Sequence, residues 1–215
     1  MRHPMTLPLA ALLLTSSALS AAAEPVFNRI ASFPVALNLP EGVDRDSETS
    51  AEIIAASSDG TMLVYSDSPH GGIGFIDITD AKAPKAAGYV AFEGEPTSVA
   101  MAGANVLVGL RTSDSKTDPA GDLAAVSLSG HAVVARCELG GQPDSVAVSP
   151  DGTMAAVAIE NERDEELNDG ALPQLPAGYV VLLALSNGLP DCESLRKVDV
   201  PVSYTHLTLP TILLV

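Results

Sequence analysis

Tryptophan is absent from this 215-residue sequence, and aromatic residues make up only 4% of it. A core drawn from such a chain has to be packed from Ala, Val, Ile and Leu, which suits many short, closely stacked strands. Positive charge is scarce as well: 11 Lys and Arg stand against 27 Asp and Glu, for a formal net charge of -16. That balance repels phosphate backbones and anionic bilayers, so nucleic acid is excluded as a natural partner. An acidic surface suits an exported protein that must stay soluble or bind cations. Cysteine occurs twice, at Cys137 and Cys192. In an oxidising compartment an even count permits one disulfide, and two unpaired thiols are the other reading.

The chain starts with weakly basic Arg2 and His3, an apolar run over 7–19, and Ser20-Ala21-Ala22-Ala23. This reads as a secretory signal, residues 1–23, with the mature part beginning near Glu24 in the periplasm or outside the cell. The apolar run is too short for a membrane span and no second one follows, so no membrane insertion is expected after cleavage. At the other end, Val202 to Thr211 reads without mismatch as one frame of a transposase-end sequencing adapter. Residues 202–215 are therefore expected to be adapter-derived, leaving 24–201 as the folded domain, and Tyr204 and His206 carry no functional weight.

Internal repetition dominates the part between. Pro96-Thr97-Ser98-Val99-Ala100-Met101 returns as Pro143-Asp144-Ser145-Val146-Ala147-Val148, a step of 47 positions. Ser57-Ser58-Asp59-Gly60-Thr61-Met62 returns as Ser149-Pro150-Asp151-Gly152-Thr153-Met154, 92 positions on, or two steps of 46. Each unit continues with further short strands, predicted over 62–65, 72–78 and 87–92, then 106–110, 121–128 and 132–137, then 154–159, 178–185 and a weaker run at 195–200. Asp-Gly turns between such runs mark antiparallel hairpins. Four strands at this period predict an all-β fold, the N-terminal part of a β-propeller with three blades. Residues 26–37 resemble a lone fourth strand of the kind that closes a propeller ring by joining the last blade.

Three stretches carry a family resemblance: Glu48-Thr49-Ser50-Ala51-Glu52-Ile53, Gly140-Gly141-Gln142-Pro143-Asp144-Ser145-Val146-Ala147 and Ile159-Glu160-Asn161-Glu162-Arg163-Asp164-Glu165. Over residues 27–200 the chain resembles secreted bacterial propellers grouped as phytase-like proteins with esterase-like activity, related to propellers named alongside alkaline phosphatases. The resemblance implies an exported propeller hydrolysing phosphate or carboxylate esters.

Chemistry is best sought in residues 160–169. Hard cations need several oxygen ligands, and Glu160, Glu162 and Asp164 would point to one face if the strand ran on through them. They are the candidate calcium ligands, although the spacing is not that of an EF-hand and composition alone favours a solvated acidic loop. Glu48 and Glu52 stand where the first blade begins, as further channel carboxylates or as rim charges. No Gly-x-Ser-x-Gly elbow is present, His70 lies in a turn and His131 at the start of a strand after Ser129-Gly130, and Gly71-Gly72-Ile73-Gly74 lacks the helix and third glycine of a dinucleotide fingerprint. No catalytic residue is assigned. Three functions stay open: a calcium-dependent ester hydrolase acting on a small molecule, a non-catalytic propeller binding an exported protein or surface polymer, and a quinoprotein-like redox subunit for which no cofactor signal exists.

Overall fold

A computed structural model describes residues 28–160, 162–171 and 174–200. The signal segment and residues 202–215 lie outside the described residues. Three antiparallel sheets follow one another along the chain. Blade 1 comprises β1 (Ile54–Ala56), β2 (Met62–Asp67), β3 (Gly72–Asp77) and β4 (Lys85–Ala91), hydrogen-bonded in that order. Blade 2 repeats the order with β5 (Glu95–Ala102), β6 (Asn105–Arg111), β7 (Gly121–Ser127) and β8 (Val133–Glu138). Blade 3 has β9 (Gln142–Val148), β10 (Met154–Glu160) and β11 (Tyr179–Ser186). Its outer position is shared by β12 (Leu189–Pro190) and β13 (Arg196–Asp199), both paired to β11 and separated by a 3-10 turn at Cys192–Ser194. The protein is all-β, a partial β-propeller, with β1, β5 and β9 as the inner strands.

The period-2 side-chain rule explains the stacking. In β6, Val106, Val108 and Leu110 meet Val64, Ile73 and Phe75 of blade 1. Leu107, one step out of phase, meets Ala155, Val157 and Val181 of blade 3 together with Leu123 and Ala125 of β7. β6 and β7 are consequently buried on both faces. Each fully buried aliphatic side chain here contributes about 1.5–3 kcal/mol of transfer free energy.

Turn chemistry repeats as faithfully as the strands. Ser57 Oγ donates to Asp59 Oδ1 at 2.6 Å and Thr61 Oγ1 to the same oxygen at 2.8 Å. Ser149 and Thr153 donate to Asp151 Oδ1 at the same distances, 2.6 and 2.8 Å. These hydroxyl bonds, with the Thr61 and Thr153 backbone N–H groups, hold both carboxyls below the ordinary range.

Residues 28–37 differ from expectation. No strand forms over 28–34, and Val35–Asn38 makes a single 3-10 turn. The segment covers the outer face of blade 1 by side chains instead of extending a ladder. Asn38 Nδ2 donates to Tyr65 Oη at 3.2 Å and to the Phe75 carbonyl at 2.9 Å, while Asn38 Oδ1 accepts from Gly88 N at 3.3 Å. Behind it, Asp67 is fully buried, accepting from Ser50 N at 2.9 Å and Tyr89 Oη at 3.1 Å. Burial, with the Asp67 charge adding to it, pushes the Tyr89 phenol far up. Gly72 and Gly74 make this layer possible, because a Cβ there would stand 2.3 Å from the Tyr89 ring and 2.2 Å from the Tyr65 ring.

Candidate functional site

The loops joining second to third strands lie on the same side of the blades as the blade-to-blade crossovers. They lengthen along the chain, from 68–71 through 112–120 to 161–178. At the root of each, the last residue of the second strand bonds the start of the first strand of its own blade or, in blade 1, the segment just before it, and each blade fills that slot with different chemistry. Asp67 accepts from the Ser50 backbone in blade 1. In blade 2, Arg111 forms an ion pair with Glu95, and in blade 3 Gln142 Nε2 donates to Glu160 Oε1 at 2.6 Å. Next to the slot, the inner strands of blades 2 and 3 slip register, leaving Thr97 and Asp144 as the extra residues of two bulges. Bulges of this kind re-aim side chains at rims and sites.

A cleft of about 980 Å³ opens on this side between blades 1 and 2. Its walls carry Glu93, Glu95, Asp122 and Glu138 with Arg111 and Arg136, and Phe92 supplies an aromatic surface. Arg136 Nε lies 2.5 Å from Asp122 Oδ2, so both guanidiniums are already matched by carboxylates. The surplus charge of the cleft is negative.

The three expected calcium ligands are drawn to different partners. β10 ends at Glu160, so the alternation that would have aligned Glu160, Glu162 and Asp164 does not continue through them. Glu160 bonds Gln142, and partial burial followed by the nearby Asp144 charge raises its pKa. Glu162 reaches Lys116 Nζ at 3.0 Å and Arg111 Nη1 at 3.9 Å, and the Lys116 bond foremost lowers its pKa. Asp164 caps its own turn, accepting from Glu166 N at 3.0 Å. Among the described residues no three His, Cys, Asp or Glu side chains gather as a metal-holding group.

Glu52 is exposed and accepts from Ser68 Oγ at 3.3 Å, and Glu48 is exposed as well. His70 Nε2 lies 3.0 Å from Ser47 Oγ, tying the N-terminal segment to the loop at 68–71. His131 stacks on Phe75 with ring centroids 4.2 Å apart, an inter-blade contact that no local pattern shows. Cys137 and Cys192 form a disulfide with Cα atoms 5.3 Å apart, joining the rim of blade 2 to the interruption in blade 3's outer strand. Arg111 and Arg136, which organise the cleft, and Lys116 in the neighbouring loop were missed in the sequence. Their signal was rarity, since each is an isolated cation in an acidic chain.

No described helix is long and apolar enough to cross a membrane. Among solved structures, the chain is similar to Kuenenia stuttgartiensis hydrazine synthase, at 18% identity and a TM-score of 0.49. That likeness covers 71% of this chain and 38% of the other, so the chain spans well under half of its length. No curated protein matches the sequence. Residues 52–200 match the model of the choice-of-anchor I domain, and the chain belongs to that family.

Proposed function

We propose that this chain is a binding module of an exported β-propeller and that it engages its partner through the loop side. The observation that carries this reading is the cleft between blades 1 and 2. It is roomy, polar-walled and assembled from two blades, as ligand sites between repeated elements commonly are. Its carboxylate surplus favours a basic segment of an exported protein over an anionic surface polymer. The hydrolase reading has less support: Glu160, Glu162 and Asp164 are engaged with Gln142, Lys116 and a turn N–H, which leaves no shared ligand set for calcium.

Binding of a fluorescent lysine-rich peptide to the purified chain tests the proposal, with an anionic polysaccharide as the opposing arm. The expected result is saturable, salt-sensitive peptide binding, weakened roughly tenfold in a Glu93→Gln, Glu138→Gln variant. Nitrophenyl phosphate and nitrophenyl acetate, offered with calcium and with chelator, should show no turnover above buffer. Chelator-sensitive turnover, or tighter binding of the polysaccharide than of the peptide, would sink the reading.

A further inference from the structure

The loop at 112–120 in blade 2 and the arm at 162–171 in blade 3 face each other across a cavity of about 450 Å³. The arm is a body in itself. Gln174 clasps it, accepting from Asp164 N at 2.8 Å and donating to the Asp164 and Leu167 carbonyls at 2.8 and 3.4 Å. Arg163, its own cation, is spent internally on Glu165 at 3.0 Å. Asn168 and Asp169 turn the chain through left-handed backbone, with φ of 51° and 52°.

Among the described residues, the hydrogen bonds and ion pairs from this arm to blade 2 are all made by Glu162, to Lys116 and to Arg111. Apart from Lys116 and the neutral Ser115 and Thr117, the cavity is lined by like charges: Asp114 on one side, Asp164, Glu165 and Glu166 on the other. Lys116 is the cation of the blade 2 loop, and the Glu162 bond and charge, followed by Asp164 and Glu165, hold its ammonium pKa up. The pinning pairs are partly exposed, and pairs of that kind are weak and screened by salt. Among the described residues, then, a folded arm is tied to blade 2 by weak pairs at one side chain, with like charges on either side of the cavity.

We infer that Glu162 latches the arm onto blade 2, and that release of this latch opens the space between the loops beside the cleft, where Asp114 lines both cavities. The inference rests on the loop side being the binding side, yet the latch operates without ligand and is tested without one.

An arginine-specific protease reads the latch through cleavage after exposed Arg163, with cleavage after Arg136 and Arg196 as the control for an intact fold. Lys116→Gln and Glu162→Gln should each speed cleavage at Arg163 about fivefold, and the double variant no further, as expected for two halves of one pin. At about 1 M salt, where the screening length is near 3 Å, the wild type should approach the variants. Wild-type rates in either single variant, or additive effects in the double variant, would overturn the latch. A latch that behaves as expected in a chain that binds no lysine-rich peptide would instead remove only the functional reading above.

Discussion

The outer faces of blades 1 and 3 are built on one repeat and end up in opposite states. On blade 1, residues 35–50 seal Tyr65 and Asp67 completely. On blade 3, the side turned away from blade 2, which is the opposite side of the repeat, leaves Met154 44% and Val198 43% exposed, with Leu182 and Ala184 beside them in a shallow apolar groove. Strand alternation is equally regular in both. Whether a sheet face is wet or dry is therefore decided by what the rest of the chain lays over it, and blade 2, covered on both sides, shows the third possibility.

Substitutions can sharpen that contrast. Tyr65→Ala empties the sealed layer and removes the Asn38 partner, so a loss of about 3–5 kcal/mol is expected in denaturant unfolding. Leu183→Ala, facing blade 2, should cost about 2–5 kcal/mol, while Leu182→Ala next to it, on the bare side, should cost less than about 1 kcal/mol. Equal losses at Leu182 and Leu183 would mean that the blade 3 face is covered in solution.

Replacing both Cys137 and Cys192 by Ala should lower stability by about 2–4 kcal/mol, because the link closes a long loop across two blades. Asp67→Ala leaves the Ser50 N–H and the Tyr89 hydroxyl without their acceptor and should cost about 1–3 kcal/mol. Its signature is accelerated amide exchange at Ser50, which a loss confined to blade 3 would not produce.

The smallest effect is expected at Glu160. Its carboxyl is raised in the folded chain, so it holds a proton more tightly folded than unfolded. That favours folding at low pH, and the benefit is lost as pH rises through the raised value. Glu160→Gln should therefore raise the melting temperature slightly at neutral pH, with the gain shrinking as pH falls below the ordinary carboxylate range. A gain that persists in acid would exclude titration of Glu160 as its source.

Local pattern carried much of this architecture. The Ser-x-Asp-Gly-Thr turns at 57–61 and 149–153 need only neighbouring hydroxyls, and they close as their sequence implies. The strand starts at Pro96 and Pro143 fall in β5 and β9, and the alternating apolar residues of β6 divide between the two cores. The candidate site was less legible. Residues 160–169 do form the third blade's long loop, but expecting aligned carboxylates required β10 to run past Glu160, and it stops there. Glu162 then turns to Lys116 and Arg111, 46 and 51 residues away in blade 2, at a distance no local pattern encodes.

The sequence by itself determined the repeat, its turns, the two-sided alternation of the strands and an acidic chain short of cations. These follow from interactions between residues a few positions apart. Tertiary structure decided the rest: that Val35–Asn38 caps blade 1 instead of adding a strand, that Cys137 meets Cys192, and that Arg111 stands between Glu95 and Glu162. Each of these pairs residues from separate parts of the chain, and their meeting depends on how whole sheets stack, a property of summed packing that no single stretch of sequence contains.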